Sequence, residues 1–255
     1  MQLKIKFIFF FIISFNLTGI IHAQTFGFGC LGFAGGYGGF VYQSYNAEGL
    51  NQFVRNFNSE IFQTAFVLKE FDSAYGYRIG INFFRATFPE GFFITAKGYY
   101  QSLGKTNSVT QNTSNGEINY DYKLDLKNWA VGFDLGLNVM DRVSWKVIDG
   151  ALHFNNIRLT STENSPGVTE VTMFESDAGV LGYSLGTGVI IALIKDYISL
   201  EGLAGYTFLK VEDLMTEDGE KFSSYLQDPG VTSTKNFIDS GGFNAVIQLN
   251  FGFPL

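Results

Sequence analysis

Histidine-based catalysis is the first chemistry to consider in this sequence. The chain has two histidines, and only His153 lies beyond the N-terminal leader region. A histidine can act as the base of an acyl-transfer site when a nucleophile and an acid lie beside it, and Ser161 and Glu163 are nearby in sequence. No nucleophile motif surrounds these residues. The sequence therefore predicts that the protein is not an enzyme.

Four charged residues form a second chemical set, because each lies on the small and polar face of a predicted strand. They are Arg78, Lys97, Asp134 and Glu201. Buried charges are costly unless they are paired. We therefore expect these four residues to form a salt-bridge network in the lumen enclosed by the strands, where it fills and stiffens the fold. Lys146 could belong to the same network. A gated proton or ion path is the alternative.

Oxygen-rich and glycine-rich segments give weaker signals. The segment Glu212–Ser240 contains the carboxylates Glu212, Asp213, Glu217, Asp218, Glu220 and Asp228. Such oxygens can bind Ca²⁺, but their spacing does not match an EF-hand, so a solvated acidic loop is expected. The string of glycines over residues 35–39 lacks the strand-loop-helix context of a phosphate-binding loop. The sequence therefore predicts no metal and no cofactor.

The stretch of residues 129–139 shows which element positions Asp134. Its odd positions are Trp129, Val131, Phe133, Leu135, Leu137 and Val139, and its even positions are Ala130, Gly132, Asp134, Gly136 and Asn138. Side chains alternate across a β-strand, so one face is apolar and the other is small or polar. This pattern is typical of a strand with lipid on one side and a narrow lumen on the other.

Similar patterns predict eight strands. They are Phe26–Tyr42, Ser73–Thr87, Phe92–Leu103, Ile118–Val139, Val143–Thr160, Thr169–Ile194, Ile198–Val211 and Gly242–Phe253. The odd-numbered connections are long, whereas the second, fourth and sixth have two to four residues. This parity predicts an all-β fold, an eight-stranded antiparallel up-and-down transmembrane β-barrel with short periplasmic turns and long extracellular loops. Eight strands enclose a lumen that side chains fill, so no open pore is expected.

Two further features concern the outer end of the predicted barrel. A strand crosses a bilayer in about 9–11 residues, so we expect the longer strands three to six to project beyond the outer interface. In the first external loop, Leu50, Phe53, Val54 and Phe57 follow the spacing of one face of a short helix. This apolar face either packs over the barrel mouth or binds a partner protein or lipid.

The N-terminus has the pattern of a secretory signal peptide. Lys4 and Lys6 precede the apolar run Phe7–Ile13, and Ala23 ends the segment. We expect removal of residues 1–23 and a barrel domain over residues 24–255, with a retained membrane anchor as the alternative. Without those two lysines the side-chain charge is 15 − 24 = −9. Because phosphate binding needs a basic surface, nucleic acid is not an expected partner.

The signal ending at Ala23-Gln24, the strand and loop rhythm and the aromatic final strand together resemble the small eight-stranded outer-membrane barrels. The resemblance is to the Bacteroidota family of outer-membrane β-barrel domains and to the OmpA- and OmpX-like barrels. It implies export to the bacterial outer membrane. Some Bacteroidota members, the PorT-like barrels, serve protein secretion, and some eight-stranded barrels are lipid A deacylases or acyltransferases. The chain ends Phe253-Pro254-Leu255 rather than in the terminal aromatic residue of proteobacterial members.

The functional prediction combines these points. We expect a non-enzymatic outer-membrane barrel, surrounded by outer-membrane lipid, that presents extracellular loops to a partner or supports envelope integrity. The alternative is a subunit of a protein secretion or outer-membrane assembly complex. A lipid-modifying barrel enzyme that uses His153 is the least favoured alternative.

Overall fold

The computed structural model describes residues 35–61, 67–114, 116–177, 179–226 and 236–252. The predicted signal peptide, the start of the predicted first strand and Phe253 lie outside these ranges. In chain order the elements are β1 Gly35–Asn46, α1 Glu48–Ile61, β2 Ser73–Thr87, β3 Phe92–Thr113, β4 Gly116–Met140, β5 Val143–Ser165, β6 Val168–Glu175, β7 Val180–Ile194, β8 Ile198–Leu209, the short 3₁₀ helix Phe222–Leu226 and β9 Ser240–Gly252. Neither helix in the described ranges has the length and hydrophobicity needed to span a bilayer.

Eight of the strands close into a ring. Their order is β4-β3-β2-β1-β9-β8-β7-β5, and the pairing of β4 with β5 completes the circle. Every pairing in the ring is antiparallel. The predicted eight-stranded antiparallel up-and-down barrel is therefore confirmed. The short connections at residues 88–91, 141–142 and 195–197 lie at one end of it, which we call the short-turn end.

The predicted sixth strand, Thr169–Ile194, is divided into β6 and β7. Glu175 pairs with Arg158 and Val180 pairs with Asn155, so four residues of this segment lie opposite only two residues of β5. Ser176 stabilises the interruption between β6 and β7, because its hydroxyl oxygen accepts a hydrogen bond from the backbone amide of Ile157 at 3.1 Å. The extra residues prevent a continuous ladder, which makes β6 a ninth strand outside the ring.

Beyond the ring, residues 105–113 of β3, 116–127 of β4, 157–165 of β5 and the whole of β6 form a projecting sheet. These strands therefore extend beyond the ring, as the prediction of a projecting sheet requires, while their position relative to the outer interface stays a prediction. The long third connection predicted between Leu103 and Ile118 is mostly strand: β3 continues to Thr113, because its backbone pairs with β4.

An apolar cap covers the inner face of the projecting sheet and the mouth of the ring. Helix α1, the segment before β2 and the β8–β9 connection supply its residues. Its most buried members include Leu50, Val54, Phe71, Leu214, Phe237 and Ile238, which pack against Leu124 and Leu159 of the projecting sheet. Burial of apolar surface is the main stabilising contribution in such a cluster. The cap therefore closes one end of the barrel with a packed core.

The outside of the ring is largely apolar, unlike the surface of a soluble protein. Every ring strand exposes large apolar side chains, among them Phe40, Ile79, Ile94, Val131, Leu152, Leu185, Leu200 and Ile247. These residues form a continuous apolar belt. Exposed apolar areas of this extent normally mark a surface that contacts protein or lipid.

Candidate functional site in the barrel interior

A charge cluster of five buried side chains fills the interior near the short-turn end. Its members are Lys97, Asp134, Lys146, Asp149 and Glu201. The Nζ atom of Lys97 lies 2.7 Å from Oδ1 of Asp134. Nζ of Lys146 lies 2.8 Å from Oδ2 of the same carboxylate. Lys97 also pairs with Asp149, and Lys146 also pairs with Glu201.

A β-bulge in β5 brings two members of the cluster together. Lys146 and Asp149 are three residues apart, so a regular strand would turn them to opposite faces. The register of β5 against both β4 and β7 shifts between Lys146 and Asp149. The one extra residue of the bulge returns Asp149 to the interior. The sequence prediction named Lys146 but missed Asp149, although the irregular alternation near Gly150 was a visible signal of the bulge.

Arg78 lies in the interior but forms no ion pair with the charge cluster in the described part of the chain. Its Nε and Nη2 atoms donate to Oε1 of Gln101 at 3.0 and 2.8 Å, and its guanidinium lies 4.1 Å from the centre of the Tyr99 ring. The structure thus brings together Lys97, Asp134 and Glu201 of the predicted network. The fourth member, Arg78, instead contacts the side-chain amide of Gln101 and the ring of Tyr99.

His153 is buried, and its neighbours are not Ser161 and Glu163, the residues considered from the sequence. Its Nε2 atom lies 2.8 Å from Oγ of Ser184 and 3.4 Å from the hydroxyl of Tyr99. Ser161 lies eight residues further along the same strand, which is about 26 Å in an extended chain. The grouping of His153 with Ser161 and Glu163 is therefore wrong, because both of those residues belong to the projecting sheet.

The interior beside Ser184 has almost no free space. A cavity of about 10 Å³ borders Ser184, Arg78, Asp149 and Asn244. This volume holds about one water molecule. A serine and a histidine within hydrogen-bonding distance can form a nucleophile and its base, but a lipid or peptide substrate does not fit at this pair. The contact between His153 and Ser184 therefore joins β5 to β7 inside the barrel.

The four residues of the α1 stripe lie inside the apolar cap. Leu50 and Val54 are fully buried and Phe57 nearly so. The Phe53 ring packs against the rings of Tyr122 and Phe222, with centroids 5.3 and 5.4 Å apart. The chain's own residues cover most of this face and leave only Phe53 partly exposed, so packing over the barrel mouth accounts for the stripe.

The acidic connection between β8 and β9 uses one carboxylate to order its backbone. Asp213 accepts hydrogen bonds from the amides of Leu214 at 2.9 Å and Ser223 at 3.1 Å. Asp228 lies outside the described ranges. Within those ranges, no group of three or more histidine, cysteine, aspartate or glutamate side chains is arranged to hold a metal ion.

Comparisons with known proteins place the chain near small barrels at low similarity. No protein-family model and no curated protein sequence matches it, whereas thirteen chains of solved structures do. The attachment invasion locus protein Ail of Yersinia pestis, solved with the heparin analogue sucrose octasulfate, has a TM-score of 0.38 and 12% identity over 87% of this chain and 98% of its own. Neisserial surface protein A has a TM-score of 0.35 and 11% identity over 87% and 99% of the two chains. Likeness at this level does not extend to what either protein binds.

Proposed function

We propose that this protein is a non-enzymatic barrel of the bacterial outer membrane that holds a capped, projecting sheet outside the cell for contact with a partner. One observation carries the proposal: all eight ring strands expose apolar side chains while the interior holds paired charges. In water this arrangement would be unfavourable, whereas in a bilayer the apolar belt contacts hydrocarbon.

The orientation follows from the lengths of the connections. Short turns face the periplasm and long connections face outward in barrels of this kind. The short-turn end is therefore the periplasmic end, and the cap and the projecting sheet lie outside the cell. Because the cap and the charge cluster close the interior, the role is one of contact and anchoring rather than transport.

The test is site-specific labelling in intact cells. In a Cys30→Ser background, which removes the single cysteine, Ser108→Cys reports on the projecting sheet and Glu90→Cys reports on the turn between β2 and β3. A membrane-impermeant maleimide should label Ser108→Cys in intact cells and Glu90→Cys only after the outer membrane is opened. The folded protein should also migrate differently on a denaturing gel before and after boiling. Recovery in the soluble fraction, or labelling of Glu90→Cys alone, would contradict the proposal.

A subunit role in a secretion or assembly complex is the second candidate. It is supported by β6, which over residues 168–174 pairs with β5 alone among the described residues and so has a free backbone edge. Such an edge can accept another strand. Copurification from native membranes tests this role: a stable envelope-protein partner supports it, and a barrel recovered alone contradicts it.

A further inference from the structure

The open edge of β6 carries a regular set of backbone hydrogen-bonding groups. In an antiparallel strand, the amide and the carbonyl of one residue point to the same side, and successive residues alternate between the two sides. Both groups of Glu175 point away from β5, because they pair with Met215 at 2.8 Å. Thr169, Val171 and Met173 have the same parity in the strand. Their amides and carbonyls therefore face the open side, where no residue of the described ranges pairs with them.

This edge lacks most of the features that prevent the addition of a strand. Natural edge strands are commonly protected by charges, a proline or a bulge. Residues 168–174 contain a single charged residue, Glu170, and no proline, and they pair with β5 without a register shift. Val168, Val171 and Met173 are each more than half exposed. The edge is therefore regular and predominantly apolar.

Two glutamates lie side by side on the inner face of this edge. Glu170 of β6 is paired directly with Glu163 of β5, and the Cβ atoms of such a pair are about 4.5–5.5 Å apart. Both lie on the same face as the buried Leu159 and Phe174, because residues of equal parity in a strand share a face. Like charges in this arrangement repel each other. In the described part of the chain, no cation forms an ion pair with either glutamate.

A strand added antiparallel to β6 would place one residue directly opposite Glu170. The backbone groups of Thr169 and Val171 would bond to the added strand, so Glu170 would lie in the closer, non-hydrogen-bonded type of pair. A lysine or arginine opposite Glu170 would also lie near Glu163, because neighbouring strands are about 4.8 Å apart. On the other face, the added strand would place side chains beside Val171 and Met173, where apolar residues fit.

We infer that the open edge of β6 binds an extended segment of another protein with the pattern apolar-x-apolar-basic. The two apolar residues pack beside Met173 and Val171, and the basic residue pairs with Glu170 and Glu163. The inference rests on the proposed function, because it gives the chemistry of the partner that the projecting sheet contacts. A second copy of the chain fits less well, since residues 168–174 contain no cation.

Peptide binding to the folded full-length protein in detergent micelles tests the inference. The probes are two fluorescent peptides, Thr-Val-Thr-Val-Lys-Val-Thr and the same sequence with glutamate in place of lysine, and fluorescence anisotropy measures their binding. Val171→Pro removes an amide that faces the open side and leaves the pairing with β5 in place. Glu170→Lys reverses the charge of the edge. Its matched control is Asp121→Lys, because Asp121 lies on β4, two strands away, and on the opposite face of the sheet.

We expect the lysine peptide to bind about tenfold more tightly than the glutamate peptide, because its ammonium makes a charge-assisted contact where a carboxylate is repelled. Val171→Pro should weaken the binding of both peptides about tenfold, since a backbone hydrogen bond is lost and the proline ring obstructs the edge. Glu170→Lys should abolish the preference for the lysine peptide, whereas Asp121→Lys should retain it. Gel mobility before and after boiling confirms that the ring of each variant is folded.

Several outcomes would overturn the inference. They are an absence of binding, equal binding of the two peptides by the unmodified protein, undiminished binding by Val171→Pro, and loss of the preference in Asp121→Lys. Dimers in native mass spectrometry that exclude both peptides would identify a second copy as the occupant instead. Labelling of the projecting sheet only after the outer membrane is opened would refute the proposed function and leave peptide binding in micelles unchanged, so the two failures are distinguishable.

Discussion

The Nζ atom of Lys146 lies 2.8 Å from Oδ2 of Asp134, across two neighbouring strands and away from solvent. The same ammonium forms an ion pair with Glu201, so one cation pairs with carboxylates from both β4 and β8. The charge cluster contains two lysines and three acids, a net charge of 2 − 3 = −1. Lys146 lies within ion-pairing distance of all three acids, so the charge balance of the cluster depends on it most.

Lys146→Met should lower the free energy of unfolding by about 3–5 kcal/mol, since it leaves three buried carboxylates with one cation. Urea unfolding of the folded barrel in micelles measures the loss. Lys123→Met is the matched control, because the ion pair of Lys123 with Asp125, 3.0 Å, involves a lysine that is 55% exposed. That control should cost under about 1 kcal/mol. Adding Glu201→Met to Lys146→Met should restore part of the stability, and no restoration would argue against charge imbalance as the cause.

The contact of Phe93 with Gly136 predicts a second sensitive position. These residues are paired directly in the β3–β4 register, and a Cβ atom on Gly136 would lie 2.2 Å from Cζ of the Phe93 ring. Gly136→Ala should therefore destabilise the barrel by about 1–3 kcal/mol through overpacking. Gly150→Ala is the control, because its Cβ would meet the exposed Phe133 ring at 3.2 Å, where the ring can move. Equal unfolding midpoints for the two variants would contradict this account.

Leu50→Ala should loosen the apolar cap without opening the ring. The side chain is fully buried, and removing such a leucine costs about 2–5 kcal/mol. Limited proteolysis should therefore cut the segment around α1 faster, while the heat-dependent gel shift of the barrel remains. Arg55→Ala serves as the control because its ion pairs with Glu48 and Glu70 are on the surface. If Leu50→Ala abolished the gel shift, the cap and the ring would be one cooperative unit.

The stability of the apolar cap should also decrease at alkaline pH. Burial raises the pKa of Tyr122 from an ordinary value of about 10 to about 12. A raised pKa means that the neutral phenol is favoured in the folded state. The contribution of Tyr122 to stability is therefore complete below pH about 10 and is lost as the pH rises through about 12. Urea unfolding measured at steps across this range should show a smaller loss in Tyr122→Phe. Identical pH profiles for the two proteins would count against the burial of this phenol.

A closed interior predicts that the protein does not form a channel. The cap covers one mouth of the ring, and the charge cluster occupies the lumen below it. In planar bilayers the folded protein should give no large, stable conductance, like a sham insertion with detergent alone. Large, regular current steps that depend on the folded protein would overturn the filled-lumen conclusion.

The ring strands were predictable wherever one face is apolar and the other is small. The sequence predicts β2 at its observed bounds, because Tyr77, Ile79 and Ile81 alternate with small or polar residues up to the register shift at Phe84. Beyond the belt this signal is lost. The outer half of β3 exposes polar residues such as Ser108 and Thr110, so its composition is that of a loop although its backbone is fully paired.

The sequence predicts which side chains face the barrel interior, but not the level along the barrel at which each of them lies. Alternation places both Arg78 and Lys97 inside, but pairing to neighbouring strands separates their levels, and that register is absent from a single-strand pattern. Asp149 escaped prediction because a bulge changed its facing, and Ser184 because its contact with His153 joins different strands. These contacts depend on how strands align, which alternation alone does not determine.

Strand β4 has a mechanical consequence for any partner that the projecting sheet contacts. It runs unbroken through 25 residues from the tip of the projecting sheet to a short turn, a length of about 80 Å. All 22 residues of β3 pair with it. A pull at the β3–β4 tip draws both strands in the same direction, so it loads in shear the backbone ladders that join this pair to β2 and β5. The projecting sheet is therefore a stiff strut, and a partner held at its tip would transmit force directly to the barrel wall.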